Sequence, residues 1–589
     1  MATEKTSNDY REERKARLAK AAKKNSKKSH KISGKTMSKK TKSAFAGIVA
    51  VALVILIAAF ACNESGVFER MKKIETVSGD SFSAVEYEYY YRYTHNYYYS
   101  MSQQYDSYYQ QTGYGYYYTG FDTTKLPEDQ EYPGTDYTLE DGSKATWKQY
   151  FEYTALNQMQ QYKAMADLAE ADKDFKLDSA VLDEALGQID EMKKQLKEQA
   201  ETNGTGVVSF NKYLRSAYGK GMSQKVFEDI VVTQTIASEY SNYLMENRAD
   251  AYTDAELEEV YKKDTSSYDC VDFRVFSISP VTPKLDDDAT TDEKNAATKQ
   301  SQEDAKAKAE EMFGKITDEA SFIKLAEQYA TKDQKDAADY TKSETTLMAF
   351  TEKSTIEGSF TEEAIKWLYN KNTPVGEKKL FDVSGTQYIM YMVKPAYRDN
   401  NTLPVDVRHI LYQFDSEAKD AEADKRAKKA EADATLTAIN TAQDKLDKFL
   451  EICEKDSDDT GSAANGGLIE YLAKGKYVKA FEEWSLDPAR KEGDVAVIET
   501  EYGYHVMYFV TKHDKPMWKI TISNTLASES VDKDLDEAIA SDNYKVAAGN
   551  KVVASTAAKI YDDLLNTYYV GVSKVEPTTK APSTTAAAK

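Results

Sequence analysis

Two of the chain's five histidines stand in runs that alternate like half-buried strands, His409 in VRHIL (407–411) and His505 in EYGYHVMYF (501–509). A lone strand histidine is most simply a core residue with a satisfied hydrogen bond. These two share the stretch 407–509 with a carboxylate, Asp459 in FLEICEKDSDDTGSAANGGL, a hydroxyl, Thr500, and the aromatic residues Tyr477 and Phe481 in YVKAFEEW. Imidazoles, a hydroxyl and a carboxylate beside apolar side chains can shape an electrostatic field without a nucleophile. No cofactor is expected, and metal binding has no support: there is no CxxC or HExxH, and His409, His505 and His513 lack ligand-like spacing. The three cysteines make no disulfide framework; Cys62 ends an apolar run, and Cys270 and Cys453 read as small buried residues.

The elements that must position these residues occur twice. VDFRVFSIS (271–279) reads as a strand followed by a charged helix over about 291–330, and VDVRHILYQF (405–414) restarts the pattern with a charged helix over 416–455. Arg274 then matches Arg408, Phe322 Phe449, Leu347 Leu468, Trp367 Trp484, Gly376 Gly493 and Tyr391 Tyr508, an order that favours tandem domains over a solenoid. YRDNNTLP (397–404) is the linker. The first copy lacks the polar set: Val275 stands for His409, Tyr388 in GTQYIMYMV for His505, Val383 for Thr500 and Lys332 for Asp459.

Ahead of the copies, residues 75–265 read as mostly helical, with helices near 144–172, 178–200, 208–218 and 222–248, and Thr253 with Glu256 forms a capping-box signature. Fifteen tyrosines fall between 87 and 118, read as a helix packing one face, with a client-binding wall or sugar platform as the competing expectation. Residues 1–43 carry fifteen Lys or Arg against four acidic residues, a basic tail without apolar periodicity. The next eighteen residues, 44–61, contain no charge or proline, enough for a tilted helix of about 17–25 residues to span a bilayer. With basic residues held inside, 44–62 reads as a signal anchor that leaves the tail cytoplasmic and the rest extracytoplasmic, a cleaved signal peptide and lipidation at Cys62 being the competing readings. The formal −21 is then +11 on residues 1–62 and −32 on the remainder, which argues against a nucleic-acid partner.

In order, the His-Ile-Leu strand, the Gly-Ser-Ala and Gly-Gly turn, the Phe-bearing helix and the Thr-x-x-Gly-x-His strand make residues 403–513 resemble the parvulin-type peptidyl-prolyl cis-trans isomerases. The resemblance implies that His409 and His505 are the paired central histidines, that Asp459 fills a Cys-or-Asp position, and that Thr500 supports the rings. It further implies that Leu468, Tyr477 and Phe481 line the proline pocket. GGLIEY (466–471) departs from the family's Gly-Gly-Asp-Leu-Gly: it lacks the Asp and puts Ile469, a β-branched residue poorly suited to positive φ, at the second glycine's place. That departure motivates the alternative of a non-catalytic holdase.

The helical region, through VSFNKYLRSAYGKGMSQKVFEDIV and YTDAELEEVYKKDTSSYD, resembles the chaperone domain of exported foldases of the PrsA and SurA type. The expected architecture is therefore α+β and multidomain: a helical chaperone domain (75–265), a degenerate parvulin-like module (268–397), an isomerase module (403–513), and a segment 514–572, with strand-like WKITIS, returning to the helical domain. Residues 573–589 read as a low-complexity tail. The implied partners are unfolded or newly exported polypeptides and, through the N-terminal helix, a membrane.

Overall fold

The structure is a computed structural model that describes residues 66–108, 114–282 and 290–572. The expected basic tail, the anchor at 44–62 and the tail at 573–589 lie outside the described residues. Among the described residues no helix is long and apolar enough to cross a membrane. Among the described residues, contacts divide the chain into a helical unit, drawn from 66–247 and 527–572, and a unit within 248–526.

In the helical unit the short helix Val67–Arg70 precedes a ribbon of β1 (Lys73–Glu75) and β2 (Ser81–Ser83), followed by the tyrosine-rich helix Ala84–Tyr108. Tyr87, Tyr89, Tyr90 and Tyr91 are buried and pack with Phe121, Trp147, Phe151, Ile560 and Leu564, so the first turns of this helix are core. Tyr93 and Tyr97, further along, are about half exposed. Trp147–Ala171 begins where Thr146 and Gln149 close a capping box. His95 is fully buried in this core, its Nε2 2.9 Å from the Tyr569 hydroxyl. Burial holds its pKa down at about 4, so it is a neutral core histidine.

Residues 248–526 hold two modules of one design. In the first, β3 (Cys270–Ile278), β4 (Leu347–Glu352), β5 (Lys378–Val383) and β6 (Thr386–Tyr397) form an antiparallel sheet in the order β4-β3-β6-β5. In the second, β7 (Val405–Gln413), β8 (Leu468–Leu472), β9 (Val495–Glu499) and β10 (Gly503–Lys512) repeat it as β8-β7-β10-β9. The matched residues fall at equivalent places: Arg274 pairs with Tyr391 and Leu347 in its sheet, and Arg408 with Tyr508 and Leu468 in the other. Phe322 lies against Tyr391 as Phe449 lies against Tyr508, with ring centres 6.1 and 5.6 Å apart.

Each sheet is covered on both faces, which is why its central strands are buried on both sides. In the second module Ala432, Ile439, Phe449 and Cys453, from helices Ala421–Thr441 and Lys445–Asp456, cover Ile410, Tyr412, Tyr504 and Val506. Phe481 and Trp484, from helix Lys479–Ser485, cover Val405, Val407, Met507 and Phe509.

Three expectations differ from the structure. Each long charged helix is two: Thr291–Lys315 is followed by Glu319–Tyr329, and Ala421–Thr441 by Lys445–Asp456, because Asp318 and Asp444 cap new N-termini. WKITIS is helical, inside Met517–Ala540; Trp518, Ile522 and Leu526 recur at helical spacing and pack on Leu257 and Tyr261. The boundaries also move. Residues 248–265 and 514–526 belong to the unit that holds the modules, whereas Val531, Leu535, Ile560 and Leu564 belong to the helical unit.

Candidate functional site

His409 lies in β7 opposite Met507, and His505 lies in β10 opposite Leu411. Since side chains alternate across a strand, both rings project from the face that carries Val407, Met507 and Phe509, toward helix Lys479–Ser485. There His409 Nδ1 and His505 Nδ1 are 3.1 Å apart. Phe481 meets both rings edge-on with centroids 5.4 Å away, and Tyr477 stacks on Phe481 at 5.2 Å.

Local sequence explains the two polar ends. Thr500 begins the turn between β9 and β10, where its N–H donates to the Gly503 carbonyl at 2.9 Å, and its Oγ1 lies 2.9 Å from His505 Nε2. Asp459 caps the single turn Thr460–Ala463, accepting from the Gly461 N–H, and its Oδ2 lies 2.9 Å from His409 Nε2. Gly467 lets the chain pass: at φ 69°, a Cβ would stand 2.2 Å from the His409 carbonyl oxygen. Its own carbonyl accepts from the His409 N–H at 2.9 Å.

These contacts fix a proton order. Burial lowers the pKa of His409 against the pull of Asp459, and burial with the neighbouring His409 lowers that of His505 to about 4. Both rings are therefore neutral at pH 7, with one N–H each. Asp459 stays ionised: burial raises its pKa, but hydrogen bonds from Ser462 and Gly461 and the interaction with His409 outweigh that and hold it low. A carboxylate only accepts, so His409 carries its proton on Nε2, and its Nδ1 accepts from His505 Nδ1–H. His505 Nε2 then accepts from the Thr500 hydroxyl. The result is a one-way chain, Thr500 to His505 to His409 to Asp459, under an aromatic wall.

Two residues of this site escape sequence reasoning. Ser462 Oγ donates to Asp459 Oδ2 at 2.6 Å and lies 3.2 Å from His409 Nε2. It stands in the Gly-Ser-Ala motif, but its role appears only once the Asp459 cap forms. The other is Ile469, which pairs with Val407 and packs in the Phe481 cluster. Leu468 pairs with Arg408 and so faces the opposite side of the sheet; the structure does not bring it to the pocket. Nor does Ile469 take the left-handed conformation. Tyr471 does, at φ 50°, with its N–H donated to Asp406 Oδ1 at 2.7 Å. The altered turn thus keeps an apolar residue on the pocket side.

The first module's matching positions are apolar or exposed. Val275, Met348, Phe360 and Tyr388 join one apolar cluster, with Tyr388 edge-on to Phe360 at 5.2 Å, and Lys332 points into solvent. Among the described residues no His, Cys, Asp or Glu cluster could hold a metal. Cys270 and Cys453 are free and buried, and burial pushes their thiols up to about 12 and about 11.

Residues 390–513 match the family model of the PPIC-type PPIase domain. Foldase protein PrsA of Exiguobacterium sibiricum is 32% identical over 112 residues, covering 19% of this chain and 31% of that protein. Foldase protein PrsA of Staphylococcus epidermidis is 38% identical over 87 residues, covering 15% and 26%. The chain thus spans about a quarter to a third of the length of these relatives. A crystal structure of PrsA from Bacillus subtilis aligns with 74% of this chain and 93% of its own at 12% identity, with a TM-score of 0.21, too low to bear on the fold.

Proposed function

We propose that the second module isomerises Xaa-Pro peptide bonds and that the chain is an extracytoplasmic foldase acting on newly exported polypeptides. The observation that carries this reading is the His409–His505 pair, Nδ1 to Nδ1, held between Thr500 and Asp459 beneath Phe481. An amide resists rotation by about 18–20 kcal/mol because resonance keeps it planar, and free prolyl isomerisation takes about 10–100 s. No bond breaks, so catalysis needs only that the twisted amide be favoured over both planar forms.

Each residue has a task in that scheme. Phe481, Tyr477 and Ile469 offer the apolar and aromatic surface that holds the proline ring. The Thr500–His505–His409–Asp459 chain has its donors and acceptors fixed in advance, so it presents a field that need not reorganise as the amide twists. Asp459 acts through its charge and through His409, not as a nucleophile. Ser462 fixes the carboxylate.

The helical unit is the chaperone part in this reading, and the apolar run 44–61, with its basic flank, anchors the chain with its folded part outside the cytoplasm. The test is proline-limited refolding of a substrate protein with the full chain. The parent chain is expected to accelerate the slow phase and His409→Ala is not; equal slow phases with and without the parent chain overturn the proposal.

A further inference from the structure

The loop that follows β8 delivers Tyr477 onto Phe481, and its supports come from both modules. From within the second module, Glu482 Oε1 accepts the N–H of Lys476 at 2.7 Å and of Tyr477 at 2.8 Å. The first module supplies further contacts to three consecutive residues. Lys474 Nζ stands 4.7 Å over the Phe350 ring. Gly475, at φ 87°, lies so close to β4 that a Cβ would stand 2.4 Å from the Ala349 carbonyl oxygen. Lys476 Nζ is 2.8 Å from Glu352 Oε2 and donates to Thr355 Oγ1 at 2.9 Å.

The receiving surface is itself fixed. Phe350 takes a left-handed φ of 51°, and its N–H donates to Asp272 Oδ1 at 2.8 Å, while the Tyr397 hydroxyl donates to the same oxygen at 2.9 Å. β4 is an edge strand of its sheet, so its outer side is open to a neighbour. The contact borders a cavity of about 2040 Å³ lined by both modules, with Met348 and Thr351 on one side and Tyr477 and Thr500 on the other.

We propose that the first module positions the substrate loop of the second: β4, Glu352 and Thr355 clamp residues 474–476 so that Tyr477 stays stacked on Phe481 beside the histidine pair. This rests on the isomerase reading above and assigns the first module a task that needs no polar site of its own. Glu352 and Lys476 are positioning residues, since neither touches the histidines or Phe481. Freeing the loop widens the space beside the proline pocket, so substrate binding weakens while the rate at saturation holds.

The test uses the full chain with Lys476→Ala, Glu352→Ala and the charge-exchanged pair K476E with E352K. It reads KM and kcat on a proline-containing tetrapeptide across pH, together with hydrogen exchange at the amides of 474–478. For a partly exposed ion pair, each single variant should raise KM about two- to fivefold with kcat and the pH profile unchanged. Exchange should quicken in the single variants, and the exchanged pair should restore both readings. Single variants with the parent's KM and exchange overturn the clamp. A parent chain without turnover overturns the isomerase reading instead, and the exchange of 474–478 still decides whether the first module holds the loop.

Discussion

The two modules share strand order, register and even an uncommon backbone device, yet differ in every polar residue of the candidate site. Phe350 and Tyr471 both sit near φ 50°, and each donates its N–H to an aspartate of the first strand, Asp272 or Asp406. Arg274 with Tyr391 and Arg408 with Tyr508 occupy the same register. Against that constant frame, His409, His505 and Thr500 become Val275, Tyr388 and Val383. The difference separates what the fold needs from what it does not: a sheet of this kind closes as well over Tyr388 and Phe360 as over a pair of imidazoles. A buried polar chain that the fold can do without has to be accounted for by something other than folding.

The largest effect should be the same in both modules. Phe322 and Phe449 are fully buried at equivalent places, so Phe322→Ala and Phe449→Ala should each cost about 3–5 kcal/mol, read by denaturant unfolding with region-resolved hydrogen exchange. Strongly unequal losses would break the equivalence.

Acidification should affect the modules unequally. His505 has a folded pKa of about 4 against an ordinary 6.5, so the unfolded chain binds the proton more readily between those values. Its stabilising contribution is complete above pH 6.5 and is lost as pH falls toward 4, about 3 kcal/mol in all. Exchange in β7 and β10 should rise between pH 7 and 5 more than in β3 and β6, whose matched positions hold Val275 and Tyr388. His95 titrates in the helical unit, which is why the readout must be resolved by region.

His505→Ala removes a pre-organised donor and should lower kcat/KM for prolyl isomerisation on the order of 10²-fold, about 2.7 kcal/mol, whereas Tyr388→His should leave it unchanged. The smallest effect is Ser462→Ala. Loss of its hydrogen bond to Asp459 is worth about 0.5–1.5 kcal/mol, so kcat/KM should fall by about tenfold or less, with the His505→Ala background showing no further loss.

Much of the candidate site was legible because short spacings fix it. Thr-x-x-Gly-x-His encodes a hairpin turn that brings Thr500 to His505, and the strand alternation of VRHIL fixes which way His409 points. Leu468 was misplaced for the complementary reason. β7 and β8 pair through a register shift between Val405 and Val407, and a slip of one residue sends a side chain to the other face. WKITIS reads as a strand because Ile520, Thr521 and Ile522 carry β propensity, while the partners that select a helix, Leu257 and Tyr261, lie far away in sequence. In the tyrosine-rich helix the sequence alone does not distinguish a core face from an exposed wall, because Phe121, Phe151 and Ile560, which cover its first turns, lie far away in sequence.

Central to the account is that the second module alone turns over prolyl bonds. Exchange spectroscopy by NMR on a proline-containing peptide, with the full chain and with His505→Ala, tests it most directly. Accelerated cis-trans exchange with the parent chain, unchanged by Tyr388→His and lowered on the order of 10²-fold by His505→Ala, is the predicted result. Exchange at the uncatalysed rate with the parent chain, or acceleration undiminished in His505→Ala, would contradict it.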